Sequence, residues 1–162
     1  MFQFTENGRF GRSPLFAGVI LSASIIASAA SAGECPADQK KPDARKPVDV
    51  EHVGVTDTVI ATIDLEKEPA NIKGRLFRMR KLTIEPNGIV PWHSHVDRPD
   101  IIYIIEGEIQ EYASNCAVPI VHKAGDVIPE TSEVSHWWKN LGDKTVVLIS
   151  VDLAKDPNDK NM

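Results

Sequence analysis

The chain has 162 residues, room for one ordinary domain. Its 23 Asp and Glu outnumber its 18 Lys and Arg, a formal net charge of −5 with no basic stripe, which argues against a nucleic-acid partner. No repeat or low-complexity tract is present.

Residues 1–32 differ from the rest. Arg9 and Arg12 precede an apolar run from Leu15 to Ala29 that ends in Ala30-Ser31-Ala32 before Gly33. Basic flank, short apolar core and small-residue end together have the form of a secretory signal peptide, cut after Ala32 and directing the chain to a periplasm or the outside. A membrane anchor is the competing reading. It is disfavoured because the apolar core is short for a span and Ser22, Ser24, Ser28 and Ser31 weaken it, so no membrane partner is expected after cleavage. Two cysteines remain, Cys35 and Cys116, and an even pair in an oxidising compartment favours a bridge tying the N-terminal arm to the barrel. The alternative is two unpaired thiols, with Cys116 buried as a small hydrophobe.

Pro36, Pro42 and Pro47 deny residues 33–47 regular structure and predict an extended arm. From Val48 the pattern turns to β. Val48–Val50 and Val53–Val55 begin β-rich pieces, Val59–Leu65 alternates, and Glu66–Asn71 reads as a loop. Between Arg75 and Ile84 the apolar positions pass from Phe77 and Met79 to Leu82 and Ile84, a change of phase that predicts a bulge near Arg80-Lys81. Further short strands follow to Leu153, with turns at Asn87-Gly88, Glu106-Gly107, Gly125-Asp126 and Gly142-Asp143. Regular short strands without a helical-period window predict an all-β, antiparallel sandwich or barrel over residues 48–154, with 155–162 as a polar tail.

Chemistry concentrates in two stretches. His93 and His95 sit one residue apart, so on a strand both imidazoles face the same way. Asp100 follows, opening the run Ile101–Ile105 that returns past them, and His136 arrives from Gly125–Asn140. Imidazoles with one carboxylate suit a divalent transition metal (Fe, Mn, Ni, Cu or Zn) better than calcium or magnesium. Asp100 has three readings: ligand, outer-shell partner of a ligand histidine, or ion-pair partner of Arg98. His52 and His122 fall outside the two stretches and read as surface or satisfied core groups.

Both stretches resemble the two motifs of the cupin superfamily. In the first, Asn87 stands where the family has Gly; five residues later come His93-Ser94-His95, then Asp100 in place of the usual Glu, then Gly107 at the expected interval. In the second, Gly125, His136 and Asn140 keep the family's spacing, while Pro129 is displaced and Glu133 replaces a Gly. The match covers roughly residues 72–153. It implies an antiparallel double-stranded β-helix, the jelly-roll or cupin barrel, with His93, His95 and His136 holding an ion and Asp100 or Glu106 serving as base. Trp92, Trp137, Trp138 and Tyr103 flank these ligands in sequence; alternation puts Trp138, two residues from His136, on the inward face and Trp92 outside or at the rim. Arg78 and Arg80 read as a solvated face, with a pocket-side carboxylate clamp as the sharper alternative.

The resemblance implies a small-molecule ligand or substrate and two competing functions. One is a metal-dependent enzyme of oxygenase, lyase or isomerase type, a dioxygenase among them. The other is a non-catalytic periplasmic module that binds a ligand without transforming it, with a purely structural metal as a third, weaker option. Relatives of this fold are often dimers or larger; an exposed sheet edge allows a homodimer, and no residue demands one.

Overall fold

A computed structural model describes residues 33–156. The expected signal peptide, residues 1–32, lies outside the described residues, as does the end of the tail from 157. A short 3₁₀ turn, Ala37–Gln39, precedes eight strands: β1 (Val53–Asp64), β2 (Leu76–Ser94), β3 (Asp100–Glu106), β4 (Glu108–Ala113), β5 (Ile120–Lys123), β6 (Val127–Glu130), β7 (Ser135–Lys139) and β8 (Val146–Ala154). All pair antiparallel in the order β5-β4-β7-β2-β8-β3-β6, with β1 on β2. This curled sheet is the expected double-stranded β-helix. Residues 48–52, expected to begin a β-rich piece, are irregular, and among the described residues no helix is long and apolar enough to cross a membrane.

The long strand β2 joins the two walls. Its first half pairs with β8, from Leu76↔Ala154 to Ile84↔Val146, and its second half with β7, from Ile89↔Lys139 to Ser94↔Ser135. Asn87-Gly88, expected as a strand-ending turn, is instead where β2 bends. Asn87 takes a left-handed φ of 64°, and a Cβ on Gly88 would lie 2.7 Å from the Glu85 carbonyl oxygen. Asn140 pins the bend: its side-chain amide lies 3.0, 3.1 and 2.8 Å from the carbonyl oxygens of Ile84, Glu85 and Lys144, and its Oδ1 accepts from the Gly142 amide. Asn140→Ala leaves those buried groups without a partner and should lower stability by about 1–3 kcal/mol, read from the urea midpoint. A change below about 0.5 kcal/mol would contradict this account of the bend.

The inner face grades from apolar to charged along the strands. Leu82, Leu148 and Ile104 share one level; then come Arg80, Ser150 and Ile102, then Arg78, Asp152 and Asp100. The expected phase change in β2 is therefore absent. Arg78, Arg80, Leu82 and Ile84 all point inward on one unbroken period of two, while Phe77 and Met79 face out. A bulge does occur at this level, but in β1, where Val59 faces Arg80 and Ala61 faces Met79, leaving Ile60 extra. The arginines are tolerated inside because carboxylates meet them: Asp152 accepts from Arg78 at 3.0 and 2.7 Å and from Arg98 at 2.8 Å, and Asp57 accepts from Arg80 at 2.8 Å.

Cys35 is bonded to Cys116, with Cα atoms 5.9 Å apart. The arm is laced alongside by Lys41 N–H to the Asn115 carbonyl and Ala117 N–H to the Gln39 carbonyl.

Candidate metal centre

His93 near the end of β2 and His136 on β7 are register partners, and His95 lies just past the end of β2. The structure brings all three rings together. Nε2 of His136 lies 3.1 Å from Nε2 of His93 and 3.1 Å from Nε2 of His95. Each ring's other nitrogen faces an acceptor: His93 Nδ1 the Pro91 carbonyl at 2.9 Å, His95 Nδ1 the Arg98 carbonyl at 3.0 Å, and His136 Nδ1 the Glu111 carboxylate at 2.6 Å. Carbonyls only accept, so Nδ1 of His93 and of His95 carries the proton; Nδ1 of His136 also has the Trp138 indole N–H 3.3 Å away, and the much shorter 2.6 Å contact to the Glu111 carboxylate places a proton on that nitrogen too. Three Nε2 lone pairs are thus aimed at one another. That repels unless a cation lies between them, and cis ligands with metal–nitrogen bonds of about 2.1 Å stand about 3.0 Å apart. The residues present fit a divalent transition metal.

Charge state favours ligation as well. Burial, then the neighbouring His136, holds His93 well below the ordinary histidine value and His95 down at about 4, so both are neutral at pH 7. Behind His136, Glu111 on β4 accepts from His136 and, at 2.8 Å, from His122 Nε2. Burial alone would raise Glu111, but these bonds outweigh it and hold the carboxylate down at about 2. A carboxylate on the far nitrogen fixes a ligand ring's tautomer and orientation.

Sequence reasoning missed Glu111 and Glu130. The alternation Ile109, Glu111, Ala113 was the available signal, because it places Glu111 on the inward phase of β4. His122, read as a surface or satisfied core group, is fully buried, bonded to Glu111 and stacked on Trp138 at 4.8 Å. Trp138 points inward beside His136, Trp92 is half-buried, and Trp137 stacks on Tyr112 away from the histidines.

Asp100 is turned to a different purpose from its histidine neighbours. It accepts from Ser150 Oγ at 2.6 Å and faces Arg80 Nη2 at 3.6 Å, and it is not among the groups whose ligand atoms gather with the three histidines. One methylene shorter than Glu, it is caught by β8 and β2. Its carboxylate lines the same small cavity as His93 and His95, about 20 Å³, roughly the room of one water, with Arg80, Trp138 and Ser150. Burial pushes Asp100 up, and its Oδ1 is buried without a hydrogen-bond partner. Glu106 must be corrected as a candidate base: it is exposed at the end of β3. The register slips between Ile104↔Leu148 and Glu106↔Val147, so the residue that strict alternation would bring inward turns out. Tyr103 likewise faces outward.

Glu130 on β6 completes the polar cluster, its Oε2 lying 3.5 Å from His136 Nδ1. Burial first, then the charges of Glu111 and Asp100, push it up to about 9 from an ordinary 4.5. Because the folded value exceeds the unfolded one, unfolding releases its proton across that range: its stabilising contribution is whole below 4.5 and lost as the pH rises through 9. Glu130→Gln lacks this slope. In metal-free protein the stability of wild type relative to the variant should therefore decline from pH 4.5 to 9, by at most about 1.4 kcal/mol per pH unit, in urea titrations across that range. A difference independent of pH would contradict it.

A family model described as a cupin domain matches residues 80–152. Comparison with curated proteins finds no match. Among solved structures, a conserved protein with a double-stranded β-helix domain from Klebsiella pneumoniae is 18% identical at a TM-score of 0.51, over 68% of this chain and 84% of that one. KdgF from Halomonas sp. is 14% identical at a TM-score of 0.50, over 69% of this chain and 89% of that one. The cupin domain of Schizosaccharomyces pombe Cnp3 is 16% identical at a TM-score of 0.46, over 60% of this chain and 64% of that one, so the chain spans less than two thirds of that structure's length. Identities this low show a shared fold alone. Residues 80–152, matched by that family model, carry a cupin domain, with the curled antiparallel sheet and both histidine motifs in place.

Proposed function

We propose that the protein is an exported metal-binding cupin that holds one divalent transition ion (Fe, Mn, Ni, Cu or Zn) on Nε2 of His93, His95 and His136. We propose further that it acts on a small molecule as a metalloenzyme of oxygenase, lyase or isomerase type. The observation that carries this reading is the 3.1 Å convergence of the Nε2 atoms with every Nδ1 committed to an acceptor. Such an ion would supply Lewis acidity and open coordination positions.

The chain's own residues do the rest. Leu82, Val90, Ile102, Trp138 and Leu148 give the cavity beside the histidines an apolar lining. Its small size admits only the reacting end of a compound. Asp100, with Oδ1 free to accept and its pKa raised by burial, is the group placed to take or return a proton there, while Arg80 and Ser150 hold its other oxygen in position. That same engagement of Asp100 favours the second reading, a periplasmic ligand-binding cupin without turnover.

Metal analysis of the purified chain tests the site: both His93→Ala and His136→Ala should lower the ion content, and unchanged content in the two variants would sink both readings. Aerobic oxygen uptake and product analysis with phenolics and diketones then separates them, since ion-dependent turnover supports the enzyme and binding without turnover supports the module.

Export is proposed on the composition of residues 1–32, and the Cys35–Cys116 bond is of the kind that persists in an oxidising compartment. Mature protein beginning at Gly33 in a periplasmic or culture fraction is the expected finding. A homodimer is proposed through the outer face of β2, β3 and β6, where Phe77, Met79, Ile101, Ile105 and Val127 are exposed, and sedimentation velocity reads it.

A further inference from the structure

His136 has two faces. Its Nε2 meets the other histidines, while its Nδ1 meets two carboxylates, Glu111 Oε1 at 2.6 Å and Glu130 Oε2 at 3.5 Å. Ligand atoms of Glu111, Glu130 and His136 lie within 4.8 Å of one another, and all three residues are buried. Orienting His136 takes only Glu111. Glu130 is then in surplus: it is 3% exposed, its Oε1 has no hydrogen-bond partner, and it lines a separate cavity on the side of the barrel covered by the arm. That cavity is about 240 Å³, room for several waters, and Glu34, Lys40 and Asn115 line it together with Glu111 and Glu130. A second acidic group in the same buried cluster, lining that cavity and with one carboxylate oxygen left without a hydrogen-bond partner, is the arrangement of a vacant cation ligand.

We propose a second divalent cation site, made of the Glu111 and Glu130 carboxylates and Nδ1 of His136, with waters from the 240 Å³ cavity completing the shell. Two carboxylates and one imidazole suit Mn²⁺, Fe²⁺, Zn²⁺ or Cu²⁺. The proposal goes beyond the three-histidine centre but shares His136 with it. With both sites filled, the imidazole bridges two ions: the His136 Nδ1–H bond and the Glu130 carboxyl O–H bond break, bonds from Nδ1 and the Glu130 carboxylate to the second ion form, and both protons leave to solvent through the cavity. Glu111 must move by a few tenths of an ångström, since cis ligands on one ion stand about 3.0 Å apart.

Metal-free full-length chain is titrated with Zn²⁺ alone, and bound zinc is counted per folded chain. Two ions are expected for wild type, one for Glu130→Gln and one for His93→Ala. A wild type that saturates at one ion, with that ion lost in His93→Ala and kept in Glu130→Gln, overturns the second site and leaves the three-histidine centre standing. Two ions in Glu130→Gln also overturns it. One ion lost in Glu130→Gln and kept in His93→Ala supports the second site and removes the first. Loading wild type with Cu²⁺ alone gives a readout that needs no variant: two coppers across one imidazole couple their spins, so the integrated paramagnetic signal per copper should fall well below one spin. A full spin for each of two bound coppers overturns the bridge.

Discussion

Asp152→Ala should cost about 3–5 kcal/mol of folding stability, the largest single effect expected anywhere in this barrel. Asp152 is about 1% exposed and stands where three arginines meet, bonded to Arg78 and Arg98 and 3.3 Å from Arg80. Burial alone would raise its pKa, but those guanidinium bonds outweigh burial and hold it below the ordinary carboxylate value. Removing the carboxylate takes the shared partner from three charges that water cannot reach. The double change Arg78→Met with Asp152→Leu should recover much of the loss, because a matched apolar pair is tolerated where half of an ion pair is not. Linkage gives a pH signature with its own sign. A lowered folded pKa means the Asp152 contribution is whole above the ordinary value of 3.8 and is lost as the pH falls through the folded value, so wild type and Asp152→Ala should converge in stability in acid. A loss below about 1 kcal/mol at pH 7 would show that the arginines are satisfied without Asp152.

Opening the Cys35–Cys116 bond should cost about 2–5 kcal/mol. The bond closes 81 residues of chain, a long loop whose closure removes much freedom from the unfolded state. Cys116 is fully buried in a small cluster with Ala113 and Ile120, so replacement by Ala rather than Ser avoids adding a buried hydroxyl. Wild type in reductant and Cys35→Ala with Cys116→Ala should show similarly lowered urea midpoints, and hydrogen exchange should rise first at Lys41 and Ala117, whose amides lace the arm to the barrel. Midpoints within experimental error of oxidised wild type would mean that the arm adds nothing to stability.

How much of this was legible in the sequence depends on whether a residue's neighbours are near in the chain. His93 and His95 announce themselves because they stand one residue apart, at the end of β2 and just beyond it, and the interval from Gly125 to His136 to Asn140 is a local pattern that places the third ring. Trp138 follows from the same alternation. Arg78 and Arg80 did not, because a charged residue on a strand reads as solvated unless its partner is known, and Asp152 lies more than seventy residues downstream. The inward arginines reversed the apparent phase of β2, which produced the expectation of a bulge in the wrong strand. Glu106 was misplaced by a one-residue register slip at Ile105 that no composition signals. Asp100 was read as a ligand, an outer-shell partner of a ligand histidine or the partner of Arg98, and Ser150 and Arg80, which hold it, again come from other strands. The apolar-to-charged gradient of the inner wall belongs to pairing across β2, β8 and β3, and no single segment shows it.

The central claim is that three imidazoles, from two strands and the loop that follows one of them, share one cation through their Nε2 atoms. X-ray absorption on the full chain loaded with less than one equivalent of Zn²⁺ tests it most directly. The account predicts histidine scattering from three ring nitrogens at about 2.0–2.1 Å, falling to two in His136→Ala. A zinc shell of oxygens or sulfurs without imidazole, or one that is the same with and without His136, would contradict it.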